Sequence, residues 1–376
     1  MKVDFFRHSI DDSDINRVTD ILKSIFLTTG AAVSEFECKL AVYLNMPHVI
    51  GVTSCTAALQ LSLLAWEIGA GDEVITTPMT FCATSNAIMH VGARPVFVDV
   101  EKSTGNMDAR LIEARITDRT RAIMPVHLYG QMCDMVEIRR IADHYGLVVI
   151  EDAAHCLEGE RDGVRVGQLA DAACFSFYAT KNITSGEGGA IVVHDQEKAE
   201  TITKLRLHGI DKSAADRYEK KFKHWDMTVL GWKYNMDNIQ AALLIGQLAR
   251  IEDLWPLREK VAQKYRRAFE NAPNIDLPAD LPDSRHARHL YTIQVPAEKR
   301  DDLLLSLPEK GVGVAVNYRA VHLLNYYQKR FGYQRGMYPL AENIGDRTLS
   351  LPLYPKITDA EVDYVIETVL EETSGF

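Results

Sequence analysis

From residue 48 onward, short runs of β-branched and apolar residues alternate with longer stretches patterned for helices. This alternation limits the fold more than any single motif does. Val49-Ile50-Gly51-Val52 precedes a helical stretch from Ala57 to Ile68 that carries a broad apolar face. Glu73-Val74-Ile75-Thr76 reads as a strand and is followed by a helix near Ala83–His90. The runs Pro95–Asp99, Ala122–Val126 and Leu147–Ile150 continue the series, with a helix at Met135–Tyr145 before the last of them. Short apolar strands separated by helices predict an α/β fold, a mostly parallel sheet with helices on both faces.

After Asp152 the pattern changes. Ala173–Tyr178 and Gly189–Val193 read as two strands joined by a short loop containing Lys181, and so short a link predicts an antiparallel neighbour within the sheet. One long helical region follows, from Asn238 to Asn271. Beyond the Pro-rich stretch Pro273–Pro282 come strands at Tyr291–Val295 and Val312–Val316 and helices near Arg300–Glu309 and Asp359–Glu371, a smaller α+β domain. With 376 residues the chain is longer than one core usually organises. We expect a large domain over residues 1–250 and a small C-terminal one over 251–376, the Pro-rich stretch being the sharpest break in the pattern.

Composition removes several functional classes. A formal net charge of −10 argues against a nucleic-acid binder, which needs a basic face for phosphates, but leaves room for a local anion pocket. No run approaches the roughly 18 apolar residues of a membrane-spanning helix. Residues Met1–Arg7 lack the apolar stretch of a signal peptide. The six cysteines are scattered without a Cys-x-x-Cys pair, which predicts reduced thiols, a cytoplasmic setting and no metal site.

Four segments carry the chemistry, each open to a plain and a functional reading. Glu151-Asp152-Ala153-Ala154-His155 follows an apolar strand, so Asp152 either caps the next helix or faces a ligand at the carboxyl edge of the sheet. A carboxylate opposite a pyridine nitrogen would hold that nitrogen protonated. Lys181, in Ser176–Gly189, is either a solvated loop charge or an amine made nucleophilic by desolvation among small residues and three glycines. Thr53-Ser54-Cys55-Thr56-Ala57 is a strand-to-helix turn, where Ser54 or Thr56 either caps the helix or joins free amides in holding an anion. Phe81, in Pro78–Thr84, also follows a strand end and either packs in the core or stacks on a flat ring.

The order of these features (phosphate turn, aromatic ring, acid, lysine) resembles the fold-type-I pyridoxal-phosphate enzymes, and specifically the DegT-type sugar aminotransferase family. The likeness runs from Thr28-Thr29-Gly30 to Leu351-Pro352-Leu353-Tyr354-Pro355. Its most specific segments are Glu151–His155, Ser176–Gly189, Pro125-Val126-His127-Leu128-Tyr129-Gly130 and Gly231-Trp232-Lys233-Tyr234-Asn235-Met236. The resemblance implies that Lys181 forms a Schiff base with pyridoxal 5'-phosphate and shuttles the proton. It implies that Asp152 pairs with the pyridine nitrogen, Phe81 stacks on the ring and His155 lies near it. Ser54, Cys55, Thr56 and Ser176 would surround the phosphate, with Thr29 and His322 on the sugar side. Many members read Gly-Tyr-Asn-Tyr-Arg where this chain has Gly231-Trp232-Lys233-Tyr234-Asn235, so a phosphate contact from the neighbouring subunit of a homodimer falls to Lys233 or Asn235.

The implied reaction moves an amino group from L-glutamate to a nucleotide-linked keto sugar. Asn182–Gly189, with Glu187, resembles the branch acting at carbon 4, and the wording around Lys233 resembles enzymes that aminate a UDP-4-keto-pentose. The alternatives are an aminotransferase for a 3-keto sugar or keto-cyclitol and a non-catalytic regulatory or binding protein on the same fold. A sugar dehydratase of this family would replace the lysine with histidine, and Lys181 speaks against it.

Overall fold

The computed structural model describes residues 1–211 and 224–375. Its strands are β1 His48–Val52, β2 Glu73–Thr76, β3 Arg94–Phe97, β4 Thr120–Ile123, β5 Val148–Asp152, β6 Glu160–Arg161, β7 Val164–Arg165, β8 Ala172–Ser176, β9 Gly189–Val193, β10 Ser284–Arg285, β11 Tyr291–Gln294 and β12 Thr348–Leu351. Seven of them form one sheet in the order β1-β9-β8-β5-β4-β2-β3. Strand β9 runs antiparallel to both β1 and β8, and every other pairing is parallel. The alternating pattern therefore produced the α/β sheet expected of it, reversed strand included.

The strands are apolar on both sides because both faces are covered. Leu40, Val149, Phe175 and Leu244 belong to the core on one face, and Leu59, Ile88, Ile150 and Ile202 to that on the other. Local signals fix the helix ends. Asp134 caps Met135–Tyr145 by accepting from the Glu137 amide at 3.0 Å, and Gly146 closes it in the left-handed conformation (φ 65°).

Two sequence expectations need correction. The helical region Asn238–Asn271 is two helices, Asn238–Ala249 and Ile251–Phe269. They part at Arg250, whose guanidinium turns aside to bind Asp14, 2.7 Å away and wholly buried. Val312–Val316 is not a strand: Val312 bridges only to Val3 and Ala315 only to Ser350. The Gly311 carbonyl and Gly313 amide are bonded instead to the backbone of Val3, which clamps the segment onto the N-terminus. The partner of β11 is β12, in register Tyr291 to Leu351. A separate core, with Tyr265, Phe269, Ile293, Leu307, Leu349 and Val365, lies beneath this two-stranded sheet.

Candidate active site

Asp152 ends β5 and Ser176 ends β8, while Ser54 and Phe81 follow the ends of β1 and β2. The carboxyl edge of the parallel strands thus gathers residues spread over more than a hundred positions, where ligands of open α/β sheets bind.

The Asp152 carboxylate is buried. Oδ1 accepts the Ala154 amide at 3.1 Å, and Oδ2 accepts the Thr84 hydroxyl at 2.8 Å. The Cys55 thiol lies 3.9 Å from Oδ1 and 3.4 Å from the Cys174 carbonyl oxygen. Burial pushes the Asp152 pKa up, against the pull of these two donors and of Lys181. Among the described residues no arginine or lysine forms a salt bridge with it. Burial also raises the Cys55 pKa, with the neighbouring Asp152 adding to the shift, so that thiol stays protonated.

Lys181 sits in the loop joining β8 to β9. The adjacent Asn182 anchors that loop by donating 2.8 Å bonds to Glu158 Oε2 and to the Ala287 carbonyl. Glu158 in turn forms a buried ion pair with Arg258. The lysine is partly exposed as a residue, but desolvation of its amine lowers its pKa from 10.5 to about 8, with Cys55 and Asp152 pulling the other way.

Two imidazoles flank the amine. His155 and His289 lie against each other, centroids 4.5 Å apart and planes tilted by 36°, and His289 Nε2 is 3.5 Å from Lys181 Nζ. Burial lowers the pKa of both well below the ordinary value, and Lys181 lowers it further. Tyr129 organises them from a left-handed backbone (φ 59°), uncommon for a bulky residue. Its amide donates to His155 Nδ1 at 3.3 Å and its carbonyl accepts from the His289 amide at 3.2 Å. Phe81 is 57% exposed, its ring 5.7 Å from that of Tyr318.

The turn after β1 makes the capping bond its sequence offered. Ser54 caps the helix Cys55–Ala65, its side chain accepting from the Ala57 amide at 3.1 Å and its carbonyl from the Ala58 amide at 3.0 Å. The first two helical amides, of Cys55 and Thr56, have no partner within the helix and suit an anion. Gly189 makes room there: a Cβ at that position would stand 2.5 Å from the Ser54 carbonyl carbon. Ser176 Oγ, nearby on β8, receives only a long 3.4 Å bond from the Tyr178 amide.

The remaining expected residues lie apart from the lysine. Asn235 donates to Thr29 Oγ1 at 2.7 Å, Thr29 donates to the Met236 carbonyl at 2.6 Å, and Lys233 Nζ bonds to Asn235 Oδ1. Asn235 is buried in these contacts and Lys233 is exposed. His322, expected on the sugar side, is a buried residue in this chain. Its ring is wholly enclosed, 3.0 Å from Glu342 and packed edge-on against Tyr338, with no face open to a ligand. Sequence reasoning missed Thr84, Tyr318 and His289. Thr84 stands at the end of Pro78–Thr84 without a cue of its own, Tyr318 lies four positions before His322, and His289 is marked only by its place just before an apolar strand.

Solved structures show what class of protein uses such an edge. Spr1654 of Streptococcus pneumoniae, solved in its PMP-form, superposes with a TM-score of 0.94 at 32% identity, covering 100% of both chains. PseC of Helicobacter pylori, an aminotransferase involved in the biosynthesis of pseudoaminic acid, gives 0.92 at 29%, again over 100% of both chains. The fold is that of the fold-type-I aminotransferases. SpsC of Bacillus subtilis, a spore coat polysaccharide biosynthesis protein, is 43% identical over 97% of this chain and 96% of its own. The DegT/DnrJ/EryC1/StrS aminotransferase family matches residues 8–370, and the chain belongs to that family.

Proposed function

We propose that this sugar aminotransferase, with pyridoxal phosphate as its cofactor, transfers the amino group of L-glutamate to a nucleotide-linked 4-keto sugar, with Lys181 as the reacting amine. The observation that carries the reading is the pairing of a desolvated lysine amine with a buried carboxylate on one sheet edge. The residues present fit the cofactor. Asp152, buried and with no salt bridge among the described residues, suits a protonated pyridine nitrogen. The unpaired amides of Cys55 and Thr56 suit its phosphate, with Ser54 and Ser176 beside them, and the exposed Phe81 ring suits a flat aromatic face.

Bound pyridoxal phosphate supplies the electron sink that stabilises charge at the carbon bearing the migrating nitrogen. The protein supplies placement and proton transfer. Asp152 holds a proton on the ring nitrogen. Lys181 Nζ, its pKa lowered to about 8, takes a proton from the α-carbon of glutamate and later returns one to the sugar carbon. Desolvation is what makes the amine competent, since an unperturbed lysine is almost wholly protonated near pH 7.

The finer parts of the proposal rest on narrower support. The match of Asn182–Gly189 to the branch acting at carbon 4 favours a 4-keto sugar. For the homodimer, Ile25 (88%), Trp225 (61%) and Leu230 (76%) are apolar and exposed, as an interface requires, and the exposed Lys233 is better free than Asn235 to reach a partner's phosphate. The cytoplasmic setting is supported by six unpaired cysteines, and the division near residue 250 by the separate core around Tyr265 and Ile293. The test is a half-reaction screen: the pyridoxamine form is mixed with keto-sugar nucleotides and with keto-cyclitols, and return of the pyridoxal absorbance is followed. Turnover with 4-keto sugar nucleotides is expected; turnover only with 3-keto sugars or cyclitols would replace the substrate assignment.

A further inference from the structure

His289 stands out among the buried polar groups around the lysine. Its ring is buried, yet among the described residues Nδ1 has no hydrogen-bond partner, and the polar group within reach of Nε2 is the Lys181 amine at 3.5 Å. An imidazole costs free energy to bury, and a side chain that only filled space would do so better as a leucine or phenylalanine. The neighbouring His155 cannot take its place. The Tyr129 amide donates to His155 Nδ1, so the ring proton of His155 is on Nε2, which donates to the Tyr318 hydroxyl at 3.0 Å. Both nitrogens of His155 are thereby engaged, and His289 is the imidazole left to serve the amine. The left-handed Tyr129 also fixes where His289 stands, through the bond from the His289 amide to its carbonyl.

We propose that His289 is a positioning residue for the reacting amine: its uncharged Nε2 accepts a hydrogen bond from Lys181 Nζ and so directs the lone pair of that nitrogen. An amine that gives one N–H to a fixed acceptor keeps its lone pair for reaction but loses the freedom to rotate it away. Burial and the adjacent lysine charge keep the ring neutral, and a neutral ring is what an acceptor requires. With Nε2 as acceptor, the ring proton lies on the unpartnered Nδ1.

This inference rests on Lys181 being the reacting amine, and the test separates the two. Glutamine at 289 places a neutral polar group where Nε2 stands, whereas asparagine is too short to reach it. In the full-length protein, H289Q is expected to stay within about threefold of wild type. H289N is expected to fall about tenfold in kcat with little change in the KM for glutamate, the effect of one lost hydrogen bond. The rate of pyridoxal phosphate uptake by the cofactor-free chain, followed by absorbance, should fall in parallel for H289N and hold for H289Q. Equal losses in both variants, or none in H289N, would overturn the proposal. If K181A in turn keeps its activity, the reading of Lys181 itself has failed.

Discussion

The Thr84 hydroxyl donates to Asp152 Oδ2 at 2.8 Å, and Thr80 Oγ1 stands 2.9 Å behind it. With its one proton given to the carboxylate, Thr84 accepts from Thr80, so the two hydroxyls form a chain that ends on Asp152. This chain favours the ionised form of a group that burial would otherwise neutralise. T84V is therefore expected to weaken pyridoxal phosphate binding about tenfold, and T84S to restore it. Equilibrium titration of the cofactor-free chain, followed by absorbance, checks both.

Replacing Lys181 removes the proton carrier. K181A is expected to lose transamination by at least a hundredfold, roughly the share of a general acid–base group. Single-turnover absorbance with glutamate measures the loss. Full activity in K181A would refute the proposed chemistry.

Proton linkage gives a pH prediction for the cofactor-free chain. The Lys181 pKa is about 8 when folded against 10.5 ordinarily, so between these values the unfolded chain binds more protons than the native one. Stability contributed at this site therefore rises with pH across that window, and below pH 8 the full penalty of the buried charge is present. Urea denaturation of wild type and K181M from pH 7 to pH 10.5 should show the K181M advantage shrinking as pH rises. Cofactor uptake should climb with pH and level off above about 8, where the amine is free.

Gly189 tests the turn geometry. A methyl group at this position meets the Ser54 carbonyl carbon at 2.5 Å and the Cys55 nitrogen at 2.7 Å, both backbone atoms. G189A is expected to cost about 1–3 kcal/mol by denaturant unfolding, since the turn and β9 must part. It should also loosen the proposed phosphate site, read as faster loss of cofactor on dilution.

The loop carrying Lys181 depends on a buried ion pair. R258M leaves Glu158 buried with Asn182 as its remaining side-chain hydrogen-bond donor. The expected loss is about 3–5 kcal/mol in urea denaturation, the cost of stranding a buried charge.

Parts of this site were legible in the residues and parts were not. Asp152, Lys181, Ser54 and Phe81 each follow a strand end, and strand ends could be read from local apolar runs. His322 follows Tyr318 by four positions, yet the fold sends them to opposite fates. Tyr318 reaches His155, while His322 is sealed against Glu342. Nothing in their spacing distinguishes them, because the direction of each side chain is set by the helix and loop packed over it. Asn235 looked like a free contact residue and is occupied by Thr29, 206 positions away.

The sequence by itself determined the sheet, its reversed strand, the helix caps and the residues that chemistry would need. All of these rest on local features: short apolar runs, capping hydrogen bonds and the backbone preferences of glycine. Only the tertiary structure decided which groups surround the amine. The placement of His289 against Lys181, of Thr84 against Asp152 and of Arg258 beneath the loop depends on contacts between segments distant in the chain. Such contacts form when buried polar groups must find partners, and no local pattern records which partner is found.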